Sequence, residues 1–172
     1  MTSGAPSVQI GESFIGTGAE AAHVNTVLGL REGPVGVAWA TALATPTQGH
    51  APFVAVLQPG VPVKPVTLFV NKATVAGDTH ASLTWGAAQA GVAAGVADAV
   101  ADGVVSSDLA EDGLIIAAVW VNPAATDGRR VYENNREATR TALAAGARGE
   151  PTLDTVLAAR AAPANPFFTP NS

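Results

Sequence analysis

The chain has no cysteine among its 172 residues. That removes disulfides, thiolate metal sites, cysteine nucleophiles and thiol redox switching together. The composition is compatible with a reducing cytoplasm, and a cytoplasmic location is expected. Charge is also scarce: 13% of residues are charged, against about 25% in an average soluble domain. Only 9 residues are Lys or Arg and the net charge is -5. Outside Arg129 to Arg140 the basic residues are scattered, which is a poor footprint for nucleic acid. The longest strongly apolar run, Leu114 to Val121, falls well short of the ~20 residues that span a bilayer. Met1 to Pro6 lacks a basic region followed by an apolar stretch, so no signal peptide is expected. Gly16-Thr17-Gly18 lacks the third glycine and following helix of a phosphate loop. Ser82 and Ser106 lack the glycine frame of a nucleophile elbow. Asp and Glu are too scattered to assign a paired-carboxylate site, and no metal-ligand spacing links His50 or His80 to His23. Those two histidines read as solvated.

What is present is apolar. Hydrophobic residues make up 48% of the chain and mean hydropathy is +0.26. With so few charges, part of the surface is expected to be subunit interface rather than solvent. The length predicts one domain over residues 1–172, with a core that needs no disulfide.

Val8 to Gly16 reads as a strand, and the Gly16-Thr17-Gly18 turn leads to a second strand over Ala21 to Leu28, so antiparallel pairing is expected. A loop over Gly29 to Gly33 precedes Pro34, which suits the first position of a helix over Val35 to Thr45. Phe53 to Leu57 reads as a short strand, followed by a stiff connection through Pro59, Pro62 and Pro65. Thr67 to Val75 is the next strand. Asp78 or Thr79 is expected to cap a helix from Thr79 to Ala101. That helix carries a stripe of Trp85, Gln89, Val92, Val96 and Val100. Gly86, Gly91 and Gly95 within it predict the close approach of a backbone or a ligand. A helical turn over Ser106 to Glu111, a central strand over Leu114 to Val121 and a helix from Asp127 to about Ala147 complete the pattern. After Pro163 the tail is irregular, with Phe167 and Phe168 expected to dock. The order of elements predicts an α+β fold in two layers: a single mixed sheet with helices packed on one face.

Alternate strand residues share a face, so His23 and Asn25 point together, away from Ala22, Val24, Thr26 and Leu28. The same reasoning puts Lys72 and Thr74 on one face of the later strand. An imidazole beside an amide is either a satisfied buried pair or a ligand site. A lysine on an apolar strand needs a partner, an exposed edge or an anionic ligand. Gln89, the polar member of its stripe, is either a satisfied core amide or a ligand contact.

Several segments resemble a known family in order and spacing. They are Val8-Gln9-Ile10-Gly11-Glu12, Gly16-Thr17-Gly18, Ala22-His23, Lys64-Pro65 and Thr67-Leu68-Phe69-Val70-Asn71-Lys72. Further along come Gly86-Ala87-Ala88-Gln89, Gly91-Val92, Asp98-Ala99-Val100, Gly149-Glu150-Pro151 and Asn165-Pro166-Phe167. From Val8 to Phe167 the chain resembles the formaldehyde-activating enzyme family, most specifically in the Ala-His and Asn-Lys-x-Thr segments. The resemblance implies a fold of the type seen in the second domain of a small-subunit ribosomal protein. It implies a carbon–nitrogen lyase of the 5,6,7,8-tetrahydromethanopterin hydro-lyase type, serving one-carbon metabolism. Formaldehyde would condense with the amines of tetrahydromethanopterin, or a related pterin, as co-substrate, giving the methylene adduct and water without a metal. It also implies a homopentamer with the pterin between neighbouring subunits. The family's proposed general acid falls on His23, and its pterin-contacting positions fall on Asn25, Val54, Lys72, Thr74 and Gln89. An imidazole, which titrates near ~6.5 when free, can supply at neutral pH the proton that the carbinolamine needs to lose its hydroxyl.

The chain departs from the family at three places. Asn25 stands where an aspartate is usual, Ala90 where a histidine is common, and Thr47-Gln48-Gly49 replaces a Lys-His-Gly pattern. Asn keeps an acceptor and adds two donors, but carries no charge. Two rival readings follow: a divergent homologue acting on another aldehyde or amine cofactor, and a non-catalytic protein that binds a pterin or aldehyde.

Overall fold

A computed structural model describes residues 8–170; Met1 to Pro6, read above for a leader, lies outside the described residues. Strands β1 (Val8–Ile15) and β2 (Ala22–Leu30) form the expected antiparallel hairpin, joined through Gly16, Thr17 and a 3-10 turn over Gly18–Glu20. Gly16 and Gly18 take φ of 86° and 69°, a backbone that a side chain at either position would strain. Strand β2 runs to Leu30, further than the loop expected from Gly29, and helix α1 (Pro34–Ala44) starts with Pro34 as foreseen.

The expected strand Phe53 to Leu57 is two strands. β3 (Phe53–Val54) joins the main sheet, whereas β4 (Val56–Gln58) leaves it to pair with β5 (Val61–Pro62). Ala55 makes the switch: its N–H donates to the Thr67 carbonyl at 2.8 Å, and its own carbonyl accepts from the Val63 N–H at 3.2 Å. Pro59 and Pro62 therefore belong to a hairpin rather than to a stiff connection. Strand β6 (Val66–Asn71) stops short of the expected Val75.

The long helix is in three parts: α2 (Gly77–Ser82), a π turn over Leu83–Ala88, and α3 (Gln89–Ala101). Neither Asp78 nor Thr79 is its cap. The capping position is Ala76, whose N–H donates to Nδ1 of His80 at 3.0 Å. That leaves Nε2 of His80 as the donor to the Val121 carbonyl, at 2.9 Å. His80 is 1% exposed, so the solvated reading of it is overturned; its ring ties the helix start to the residue after the central strand. The π turn also breaks the predicted stripe. A π turn holds one residue more than an α turn, so Trp85 rotates out to 42% exposure while Gln89, Val92 and Val96 stay buried.

Helix α4 (Ser107–Asp112) is capped by Ser106, whose hydroxyl accepts the Leu109 N–H. It leads into β7 (Gly113–Trp120). Asp127 caps α5 (Gly128–Arg148) by accepting the Arg130 N–H, and Gly149 ends that helix at φ 65°. Helix α6 (Leu153–Ala159), capped by Thr152, has no counterpart in the sequence reading.

The main sheet runs β1-β2-β7-β6-β3. Its β6–β7 pair is parallel and the others are antiparallel. The chain thus adopts the expected α+β arrangement with a mixed sheet, and β7 is central. Helix α5 packs on β1 and β2 and against α3, while α1 lies along β2 and β7. A Cβ on Gly11 would sit 1.8 Å from the Ala142 carbonyl oxygen, and one on Gly95 2.4 Å from that of Arg136. The close approach predicted from glycine therefore holds at Gly91 and Gly95, where α5 crosses α3, but Gly86 faces open space. Arg136 of α5 clasps Asp98 of α3 with two hydrogen bonds, 2.6 and 2.8 Å long. They hold the Asp98 carboxyl below the usual carboxylate range.

Candidate active site

The register turns single-strand alternation into rows across the sheet. Ala22, Val24, Thr26 and Leu28 of β2 are buried, while His23, Asn25 and Val27 on the opposite face are half-buried. His23 stands between Phe14 of β1 and Trp120 of β7. The N–H of Lys72, just past β6, donates to the Val119 carbonyl at 2.8 Å, which keeps Lys72 beside Trp120. The upper row is therefore Phe14, His23, Trp120, Lys72. One step below lies the row Glu12, Asn25, Ala118, Val70.

Within these rows Nε2 of His23 lies 2.9 Å from Oε1 of Glu12, and its ring tilts against Phe14 with centroids 5.5 Å apart. The C-terminal tail crosses above. Phe167 meets Trp120 edge-on at 5.7 Å and Phe14 at 6.4 Å, yet remains 73% exposed. This is the docking expected of the tail for Phe167; Phe168 is 57% exposed. Beside Phe167 opens a hollow of about 400 Å³ whose walls, among the described residues, are His23, Asn25, Lys72, Trp120 and Phe167. An adjoining hollow of about 450 Å³ has Glu12, Phe14, His23 and the tail residues Ala164 to Phe167 as its walls. Lys72 is exposed and makes no ion pair among the described residues. The set thus offers a proton-carrying ring, a free cation, an amide and flat aromatic walls. Such a combination suits a flat ring carrying anionic or carbonyl groups.

Three predicted positions are not walls of the first hollow. Gln89 is 8% exposed and its Nε2 donates to the Val56 carbonyl at 2.9 Å, which holds β4 against α3. Val54 pairs with Leu68, four residues back along β6 from Lys72, roughly 13 Å at strand rise. Thr74 is exposed, with its hydroxyl 3.4 Å from Nε2 of His50. His50 itself is half-buried, its Nδ1 2.8 Å from the Asn71 carbonyl, and this corrects the solvated reading. Conversely, Glu12, Phe14, Trp120 and Phe167 entered no sequence-based site. For Glu12 and Phe14 the alternation along β1 was legible, but their places opposite Asn25 and His23 are set by the longer connection 16–21, with its 3-10 turn, which a tight turn at Gly16 to Gly18 would not give.

Comparison with known proteins points the same way. Residues 10–168 match the family model described as formaldehyde-activating enzyme (Fae). The chain is 45% identical over 158 residues to the 5,6,7,8-tetrahydromethanopterin hydro-lyase of Methanosarcina barkeri, covering 92% of this chain and 89% of that protein. It is 47% identical over 148 residues to the bifunctional enzyme Fae/Hps of Methanococcoides burtonii, and 39% identical over 159 residues to that of Archaeoglobus fulgidus. Those matches cover 86% and 92% of this chain, but only 37% and 40% of the longer bifunctional proteins. A match from residue 10 to residue 168, with identities of this size, makes the chain a member of the formaldehyde-activating enzyme family.

Proposed function

We propose that this chain condenses formaldehyde with tetrahydromethanopterin to the methylene adduct and water, with His23 as general acid. The observation that carries the reading is that His23 and Lys72 open into one hollow walled by Trp120 and Phe167, in a chain of this family. An amine of the pterin adds to formaldehyde, giving a carbinolamine. The protonated His23 ring donates to the carbinolamine hydroxyl, which leaves as water. The second amine closes on the resulting iminium carbon and returns its proton to His23, so the ring ends as it began. Lys72 holds an anionic or carbonyl group of the pterin, and Asn25 donates to or accepts from its edge. Because amines and formaldehyde also combine unaided, holding both reactants together supplies part of the acceleration.

The enzyme works in the cytoplasm as a homopentamer whose pterin cleft lies between neighbouring subunits. Two observations support this assembly. Apolar side chains on α1 and α6 face outward, with Val37 and Leu153 each 71% exposed and Val156 49% exposed. In addition, Val54, Thr74 and Gln89 are not among the walls of the His23 hollow; a neighbouring copy brings its own set to complete the cleft. Among the described residues no helix is long and apolar enough to cross a membrane.

The test is methylene formation from formaldehyde and tetrahydromethanopterin, compared with a protein-free control. A rate above the control is expected; a rate equal to it overturns the reading. The neutral Asn25 favours the divergent-homologue alternative. If the wild type is inactive and Asn25→Asp gains turnover, the departure at Asn25 is the cause. Pterin binding without turnover in either form identifies a binding protein.

A further inference from the structure

We infer that Glu12 is the positioning residue for His23, fixing which ring nitrogen handles the proton; this rests on the reading of His23 as the acid. Glu12 and Phe14 alternate on β1 and face Asn25 and His23 across the hairpin. The Glu12 carboxylate reaches diagonally to Nε2 of His23, 2.9 Å away. Asn25, its direct partner across the strands, carries no charge and cannot replace it. The other charged group facing the ring among the described residues is Lys72, a wall of the same hollow; β7 contributes Trp120 there, and the tail contributes the uncharged Asn165 and Phe167.

The chemistry follows from this placement. A carboxylate on Nε2 keeps a proton on that nitrogen in both charge states of the ring, because it can only accept. Nδ1 is then the atom that exchanges protons. In the charged ring Nδ1–H donates to the carbinolamine hydroxyl, the C–O bond breaks and water leaves. In the neutral ring the lone pair on Nδ1 takes the proton released when the second amine forms its C–N bond. One proton goes out and one returns, at one atom, without the ring turning over. With the Glu12 side chain 62% exposed, the pair adds little to stability. Its effect is on the state of the ring.

The experiment compares wild type, Glu12→Gln and Glu12→Asp in two readouts: kcat and KM, and the ring ¹⁵N signals of His23. In Glu12→Gln, kcat should fall by about tenfold, within the range that general acid–base groups command, while KM for the pterin changes less than about twofold. Glu12→Asp, which restores a group that can only accept, should bring kcat back towards wild type. The ring signals of the neutral form should show a proton on Nε2 in the wild type and a mixture of tautomers in Glu12→Gln. Ring signals indifferent to Glu12→Gln overturn the inference, as does a kcat that Glu12→Gln leaves unchanged. If the wild type does not exceed the spontaneous rate, the proposed reaction fails. Ring signals that still respond to Glu12→Gln then uphold the positioning on their own.

Discussion

At the scale of single residues, the proposed function has His23 and Lys72 divide the work between chemistry and binding. A ring that gives and takes a proton acts in the transition state, whereas an exposed cation beside Trp120 attracts the pterin before and after reaction alike. Lys72→Met should therefore raise KM for tetrahydromethanopterin by about tenfold and leave kcat within about twofold. Steady-state kinetics check this, and an equal loss in kcat would mean that Lys72 acts on the reacting atoms. The pairing of His23 with Asn25 was legible because strand alternation is local. The contact between Glu12 and His23 needed the hairpin register, and Phe167 needed the whole chain, since a tail docks only once the sheet exists. His80 was misread for a related reason: its acceptor, the Val121 carbonyl, lies 41 positions along the chain, and nothing near His80 in sequence reveals it.

At the scale of elements, local start signals predicted well where the signal stands alone, as at Pro34 and Asp127. They failed at α2, where a side chain from within the helix, His80, satisfies the capping N–H. The strand break at Ala55 and the π turn after Ser82 were invisible because each is fixed by what packs against it. The glycines of the long helix make the point measurable. A Cβ at Gly95 would meet the Arg136 carbonyl at 2.4 Å, whereas at Gly86 nothing lies within 4 Å. Gly95→Ala should destabilise by about 1–3 kcal/mol through overpacking, despite the helix propensity that alanine adds. Gly86→Ala, which gains that propensity without a clash, should stabilise by up to ~1 kcal/mol. Urea denaturation of the two variants checks the contrast, and equal shifts would refute the account of the α3–α5 crossing.

At the scale of the whole molecule, the shortage of charge and the outward-facing leucines and valines of α1 and α6 are the surface that the proposed homopentamer would cover. Sedimentation should give a particle of five chains, and Leu153→Asp with Leu157→Asp should reduce its size; a wild-type monomer at micromolar concentration would refute the shared cleft. The sheet could be read from the sequence because its strands are short, alternating and bounded by turns, while subunit contacts have no periodicity of their own. The proposed reaction requires the fold to hold His23 where a carbinolamine needs a proton. The direct test measures methylene formation from formaldehyde and tetrahydromethanopterin with wild type, with His23→Ala and without protein. Wild type is expected to exceed the spontaneous rate, and His23→Ala to fall to within a few-fold of it while still binding the pterin. A His23→Ala variant as fast as wild type would contradict the proposed reaction.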